Sequence, residues 1–491
     1  MIFLGIDLGT SSVKVIAINE AGLLLGEGHA EYPIAYPKPG WAEQNPEDWW
    51  QGTCSAIHAL IENNDISPSS ITSIGFSGQM HGLVALDENN QVLTPALLWC
   101  DQRTQVECDE ITAHFGLDGL AETVSNQALT GFTAPKILWL KKHKPEIFKQ
   151  IKHILLPKDY IRFKLTGNYA TDYSDASGML LLDIQNKKWS KPLCDFVGIT
   201  EDTLPKLYES YEITGSVTED ALKEIGLSGL ISVVGGAGDQ AAGAIGTGTV
   251  KEGILSVTLG TSGVVFAAHN SFAVDQQLRL HAFCHANGRY HSMGVMLSAA
   301  SCLKWWTDTV NADVPFETLL SEAEAVDAKN QDVIFLPYLM GERTPYADPH
   351  ARGTFIGMTP TTTRGHLTRA ILEGVTFGLK DSLEILKEIE VNIDEVRVIG
   401  GGSKSDFWLG LIATIFNTSV CRINTDQGGA LGAAILAAVG SGAYDNVEVA
   451  CDQIVKTLDA IHPVSDEVPL YEANYKRFQG LYSALEPWFK S

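Results

Sequence analysis

The chain is short of positive charge: Lys and Arg number 35 against 59 Asp and Glu, a formal net charge of −24 at pH 7. A field of that sign repels polyanions at long range, which argues against nucleic acid or an anionic membrane as a partner. It does not exclude an anionic nucleotide held in a local pocket. Paired cysteines are also missing. Cys54, Cys100, Cys108, Cys194, Cys284, Cys302, Cys421 and Cys451 are scattered and form no CxxC, so neither structural zinc nor a disulfide framework is expected, and reduced thiols in the cytoplasm fit best. Long apolar runs are lacking as well. Uncharged stretches such as 428–444 are too short and too rich in glycine to span a bilayer. Met1-Ile-Phe-Leu4 has no basic lead and Asp7 interrupts the apolar run, so no signal peptide is expected.

Glycine, by contrast, is abundant, and its densest cluster lies near the middle of the chain. Ile231-Ser-Val-Val-Gly-Gly-Ala-Gly-Asp-Gln-Ala-Ala-Gly243 reads as an apolar strand over 231–234, then a glycine-rich bend with one carboxylate, Asp239, at its tip. Residues without a Cβ let a backbone turn sharply and approach a ligand, but such a segment is equally a surface for close helix packing. A repeat decides between the two. Leu4-Gly-Ile-Asp-Leu-Gly-Thr-Ser-Ser-Val13 aligns without a gap with Leu255-Ser-Val-Thr-Leu-Gly-Thr-Ser-Gly-Val264. Copies half a chain apart suggest two related domains rather than a solenoid. Each copy reads as a β-hairpin whose turn, Gly9-Thr10-Ser11 or Gly260-Thr261-Ser262, exposes N–H groups and hydroxyls, an array suited to phosphate oxygens. Only the first copy carries a carboxylate in its strand, Asp7, where the second has Thr258.

Strands are expected over 2–8, 13–18 and 23–28, with Asn19-Glu-Ala-Gly22 as a turn. Asn45-Pro46 marks a helix start. A strand over 71–76 runs into Ser77-Gly-Gln-Met-His-Gly82. In the second half Leu367, Ile371, Val375, Leu379 and Leu383 form one face of a long helix. A strand over 395–399 leads into Gly400-Gly-Gly-Ser403 and a further helix, and the small residues of 428–434 open another. Strands followed by helices in both halves give an α/β class. The domain boundary is expected between 245 and 253, dividing the chain into 1–247 and 248–491.

Two phosphate-type turns, a strand–Gly-Gly-Gly–helix element and two isolated carboxylates suggest nucleotide-driven phosphoryl transfer, which mainly requires positioning and charge neutralisation. The hairpin turns would hold the β- and γ-phosphates of ATP, and Gly400, Gly401, Gly402 and Ser403 would lie against the adenosine. Mg²⁺ keeps much of its water shell and needs few protein carboxylates; Asp7 and Asp239 are the candidates.

With these residues in view, the chain resembles the FGGY carbohydrate kinases of the actin/heat-shock-protein ATPase superfamily over nearly its whole length. Gly131-Phe-Thr-Ala-Pro-Lys-Ile-Leu-Trp-Leu-Lys-Lys-His143 is similar to that family's first signature, and Gly353-Thr-Phe-Ile-Gly-Met358 with His366-Leu-Thr-Arg-Ala-Ile-Leu-Glu373 to its second. The resemblance implies two RNase H-like domains flanking a central cleft, with ATP mainly on the second and sugar mainly on the first. It implies that Asp239 is the base for the sugar hydroxyl and that Asp7 lies near Mg²⁺ and the phosphates. Gly78-Gln-Met-His-Gly82, Leu156-Pro-Lys-Asp-Tyr160, Ser174-Asp-Ala-Ser-Gly178 and Leu336-Pro-Tyr-Leu-Met-Gly-Glu-Arg-Thr-Pro345 resemble most the members that phosphorylate a pentulose. In those members Met80 and His81 match the sugar-contacting pair, and Trp99 and Asp101 are expected to line the same cleft. Glu342 and Arg343 are expected to form a structural ion pair. One residue departs from that branch: Gln240 follows the catalytic Asp, as in the family's glycerol kinases, where pentulose kinases usually have Asn. A glycerol, gluconate or ribulose kinase is the alternative within the family. A nucleotide-gated chaperone-like protein or a sugar-sensing repressor would each need a further domain. The expected partners are thus a small sugar and ATP, without nucleic acid or membrane, and a homodimer is compatible with the sequence.

Overall fold

The computed structural model describes residues 1–491. Three antiparallel strands open the chain: β1 (Ile2–Leu8), β2 (Ser12–Asn19) and β3 (Leu24–Glu31). The Asn19 side chain closes the second turn by accepting from the amides of Ala21 and Leu23, both at 3.0 Å. Helix α1 (Pro46–Asn64) begins where expected. Asn45 caps it through the Glu47 amide, Pro46 sits at the first turn, and Trp49, Trp50 and Ile57 are buried. β4 (Ile71–Gly78) lies parallel to β1. The chain then leaves the sheet, forming α2 (Thr133–His143) among other elements, and returns as β5 (Ser232–Val234), parallel to β4.

Helix α3 (Asp239–Gly246) leads to the second half. There β6 (Gly253–Leu259), β7 (Gly263–His269), β8 (His281–Cys284) and β9 (Tyr290–Met296) are followed by the long α4 (Arg364–Glu388). β10 (Ile393–Ile399), α5 (Asp406–Phe416), β11 (Val420–Cys421), α6 (Gly428–Gly440) and α7 (Val468–Phe489) complete it.

The order β3-β2-β1-β4-β5 in the first sheet recurs as β9-β7-β6-β10-β11 in the second. Each repeat strand is antiparallel to its hairpin partner and parallel to the strand on its other side. The sequence repeat is therefore a repeat of whole sheets, and the chain has the two-domain α/β architecture that the resemblance implied. The hairpins differ by one residue. Leu8 pairs with Val13, but Leu259 pairs with Gly263, which makes the second turn tighter. Gly263 packs so closely against α4 that a Cβ there would lie 2.8 Å from Leu379 Cδ2.

Small residues let α6 rest directly on the first sheet. A Cβ at Gly5 would lie 2.0 Å from Ala430 O, and one at Gly75 would lie 2.1 Å from Ala433 O. This helix of the second half thus covers β1 and β4 and also packs on α3. The second signature is a strut. Arg369 Nε donates to Glu373 at 2.7 Å, and Tyr471 of α7 joins both at 2.7 and 3.1 Å, pinning α7 to α4. No helix is long and apolar enough to cross a membrane, and all eight cysteines are unpaired.

Two local expectations change. β3 runs on to Glu31 rather than ending at 28. Asp239 is not at the tip of a bend but is the first residue of α3. Gly235 and Gly236 make the turn, and Ala237–Gly238 then pairs alongside Ser77 and Gly78 of β4, which delivers the carboxylate to the helix start.

Candidate active site

The C-terminal ends of β1 and β4, the start of α3 and the start of α6 converge on two carboxylates. Ser77 Oγ donates to Asp7 Oδ1 at 2.6 Å. Gly429, in the first turn of α6, approaches so closely that a Cβ there would be 3.2 Å from the same oxygen. The positive end of the helix dipole therefore faces Asp7. Burial raises the Asp7 pKa, while Ser77 and Lys14 pull it down. Asp239 is pushed up to about 7, first by burial and then by the charge of Asp7. Two carboxylates that repel each other are suited to a cation between them. No group of three or more His, Cys, Asp or Glu side chains is placed to hold a metal. Such a sparse all-oxygen donor set fits a Mg²⁺ that takes its other ligands from water and phosphate.

Next to Asp239 lies the loop that follows β4. Gly238 packs on Met80, whose Sδ would be 2.9 Å from a Cβ at that glycine. His81 adopts φ +68°, a left-handed conformation that a histidine holds only when its surroundings impose it. The first signature imposes it here. Thr133 Oγ1 and Lys136 Nζ, both from α2, donate to the His81 carbonyl at 3.0 and 2.9 Å. The His81 ring packs edge-on to Phe132, and its Nδ1 lies 2.6 Å from Gly178 O. Burial drops its pKa to about 3, so the ring is neutral.

Beneath this loop lies a charged cluster with almost no solvent exposure. Lys158 Nζ meets Asp159, Asp172 and Asp175 at 2.7, 2.8 and 3.2 Å, and Arg162 meets Asp159 at 2.8 Å. Burial pushes the Asp175 carboxyl well above the usual range, which moves the balance of charge towards neutrality. The cluster reaches the site by three routes. Lys158 packs under Gly78, Arg162 donates to Gly235 O, and Ser174 Oγ both donates to Asp172 at 2.5 Å and accepts from the Gly238 amide at 3.2 Å.

The two hairpin turns leave the amides of Thr10, Ser11, Thr261 and Ser262 without backbone acceptors. Trp99, which is exposed, donates Nε1 to Thr10 Oγ1 at 3.0 Å and so stands beside the first turn. After β10, Gly400 takes φ +87° and swings the chain over the end of β6, where a Cβ would lie 2.7 Å from Leu259 O. Gly401 and Gly402 form one wall of a cavity of about 750 Å³ whose other walls include Ala300, Leu303, Phe316 and Trp408. A second cavity of similar volume lies across Gly400 and Ser403, against Thr258 and Gly428. The first is large enough and apolar enough for a purine.

Of the residues singled out by sequence, the structure gathers Asp7, Asp239, Gln240, Met80 and His81 around the ends of β1 and β4 and the start of α3. Trp99 and Thr10 touch each other at the first turn. Asp101 does not line the cleft: it is fully buried, its oxygens taken by Arg103 at 2.7–3.0 Å and by the Ala42 amide at 2.7 Å. Nor do Glu342 and Arg343 pair through their side chains, because Glu342 Oε1 instead accepts the amides of Leu297 and Arg343 at 3.0 and 2.7 Å. Sequence reasoning missed Ser77, Lys136, Ser174 and Gly429. Lys136 and Ser174 stand within the quoted family segments, but what they hold is remote in sequence.

Known proteins carry the same architecture. The family model "FGGY family of carbohydrate kinases, N-terminal domain" matches residues 2–246, and the corresponding C-terminal-domain model matches residues 255–441. A xylulose kinase of Bacillus subtilis is 42% identical over 98% of this chain and 96% of its own length. The crystal structure of a xyloylose kinase from Brucella ovis superposes with a TM-score of 0.94 at 40% identity, covering 99% of this chain and 100% of that one. A gluconate kinase from Lactobacillus acidophilus also reaches 0.94, at 26% identity and 99% and 98% coverage, so the backbone alone does not select the acceptor. On both domain models and on full-length identity, the chain belongs to the FGGY family of carbohydrate kinases.

Proposed function

We propose that this protein transfers the γ-phosphate of ATP to D-xylulose, giving D-xylulose 5-phosphate and ADP. The observation that carries the reading is Asp239: a carboxylate whose pKa burial and the Asp7 charge raise to about 7, at a helix start directly after Gly238, which packs on Met80. A base with a pKa near the working pH is suited to taking a hydroxyl proton. The relatives at about 40% identity named for xylulose support the acceptor.

In this reading the sugar lies over Met80 and His81, with Gln240 and Trp99 at its edges. Asp239 takes the proton of the C5 hydroxyl as that oxygen attacks the γ-phosphorus and ADP leaves. The free amides and hydroxyls of Gly9–Ser11 and Gly260–Ser262 hold the phosphates. Gly400–Ser403 and the adjoining cavity of about 750 Å³ hold the adenosine. Asp7, with Asp239, would hold Mg²⁺, which when bound supplies neutralisation of phosphate charge. With a cation there, both carboxyl pKa values would fall and Asp239 would be more fully ionised. Residues 1–247 serve as the sugar-side domain and 248–491 as the nucleotide side, and a homodimer in the cytoplasm is compatible with the reading.

Gln240 is the one residue on the side of another acceptor. ADP release from MgATP, measured across xylulose, ribulose, glycerol and gluconate, decides it. The highest kcat/KM is expected with xylulose, and a preference for glycerol or gluconate would replace it as the acceptor.

A further inference from the structure

Arg343 belongs to the second half of the chain, yet its surroundings point to the sugar end of the cleft. Its backbone is fixed on both sides. Glu342 Oε1 accepts the amides of Leu297 and Arg343, at 3.0 and 2.7 Å. The Thr344 amide donates to Val295 O at 3.0 Å, while the Thr344 hydroxyl accepts from the Val295 amide at 3.0 Å and donates to Arg279 O at 3.1 Å. These bonds tie the segment to β9 and to the approach of β8, whose first residue is His281.

His281 and His81 pack against the same two aromatic rings. Their rings lie 5.7 and 4.8 Å from the Phe132 ring, and 5.4 and 6.5 Å from that of Phe283. The Arg343 charge bears on both imidazoles and helps keep them neutral. The guanidinium itself, half-buried, makes no hydrogen bond and no ion pair with any protein group, although the chain has 59 carboxylates to choose from. A guanidinium carries five N–H donors and no acceptor, so those of Arg343 are open to water or to a ligand that displaces it. A ligand rich in oxygen would supply the missing acceptors.

We propose that Arg343 is a sugar-binding residue whose guanidinium donates to oxygens of the acceptor from the second half of the chain, across from His81. The two residues are complementary: His81 offers a lone pair to a hydroxyl hydrogen, and Arg343 offers donors to hydroxyl or carbonyl oxygens. Acceptor recognition is then shared by both domains, so the sugar can report its presence to the nucleotide side. The proposal rests on the sugar-kinase reading above.

The test compares wild type with Arg343→Met, Arg343→Gln and Arg343→Lys in steady-state kinetics, calorimetric titration of D-xylulose without nucleotide, and thermal melts. Loss of the donors should raise KM and the sugar Kd about tenfold or more in the Met variant. KM for ATP and the melting temperature should stay near wild type, and Lys should recover part of the loss. A Met or Gln variant with wild-type sugar KM and Kd overturns the proposal. So does a rise in KM for ATP that matches the rise for sugar, or a fall in melting temperature with Lys giving no recovery, since either marks a structural role. If wild type phosphorylates a different acceptor, the choice of xylulose fails while the same comparison with that acceptor still tests Arg343.

Discussion

His81 donates its Nδ1 proton to the carbonyl oxygen of Gly178 over 2.6 Å. A carbonyl can only accept, so in the neutral ring Nε2 is left as a lone-pair acceptor. His81→Ala should therefore lower kcat/KM for the sugar about tenfold or more, the cost of one unmet buried partner. KM for ATP should hold, because the phosphate turns lie elsewhere in the cleft. Steady-state kinetics with each substrate varied checks this, and an equal fall in both would show that His81 supports the fold instead.

Asp239→Asn keeps the shape of the carboxylate and removes its basicity. Sugar phosphorylation should fall by ~10²–10⁴-fold, the usual contribution of a positioned base. ATP binding, measured by titration with a fluorescent nucleotide, should be nearly unchanged. Turnover near wild type would remove Asp239 from the role of base.

The pH response follows from the two causes that raise Asp239. Burial and the Asp7 charge both favour the protonated acid and hold it near 7 against a usual 3.8. Asp7→Asn removes only the second and smaller cause, so Asp239 should titrate lower than in wild type and still above 3.8. Carbon-13 NMR of labelled aspartates in the metal-free protein reads this without turnover. In wild type, kcat/KM for the sugar should decline as pH falls and the base becomes protonated. An Asp239 that titrates normally in wild type, or moves upward in Asp7→Asn, contradicts the account.

The buried cluster behind the loop separates positioning from stability. Lys158→Met leaves three carboxyls without their shared cation and should cost ~3–5 kcal/mol, seen as a lower melting temperature. Ser174→Ala removes only the link between Asp172 and the Gly238 amide. Asp172 keeps Lys158 and Ser210, so the melt should move little while kcat falls about tenfold through misplacement of Asp239. Unchanged kcat in Ser174→Ala would show that the cluster does not steer the base.

Local signals in the sequence are legible where the interactions themselves are local. Asn45-Pro46 starts α1, and Asn19 closes its own turn. The Leu-Gly-Thr-Ser identity revealed the duplicated sheets but not the tighter second turn, because its register depends on Gly263 lying against α4, far along the chain. Trp99 and Asp101 stand two residues apart in sequence. In a loop without strand alternation their side chains diverge, Trp99 to Thr10 and Asp101 inward to Arg103. The cluster of Lys158, Arg162, Asp172 and Asp175 was not legible, since nothing in its spacing states that Gly78 and Gly238 lie above it.

The central claim is that Asp239 faces the acceptor hydroxyl between a sugar on His81 and phosphates on the two hairpin turns. A crystal structure with D-xylulose, Mg²⁺ and a non-hydrolysable ATP analogue tests it most directly. The account predicts the C5 hydroxyl within hydrogen-bond distance of the Asp239 carboxylate, a sugar hydroxyl donating to His81 Nε2, and phosphate oxygens on the amides of Thr10, Ser11, Thr261 and Ser262. Sugar bound away from Met80 and His81, or a reacting hydroxyl that points away from Asp239, would contradict it.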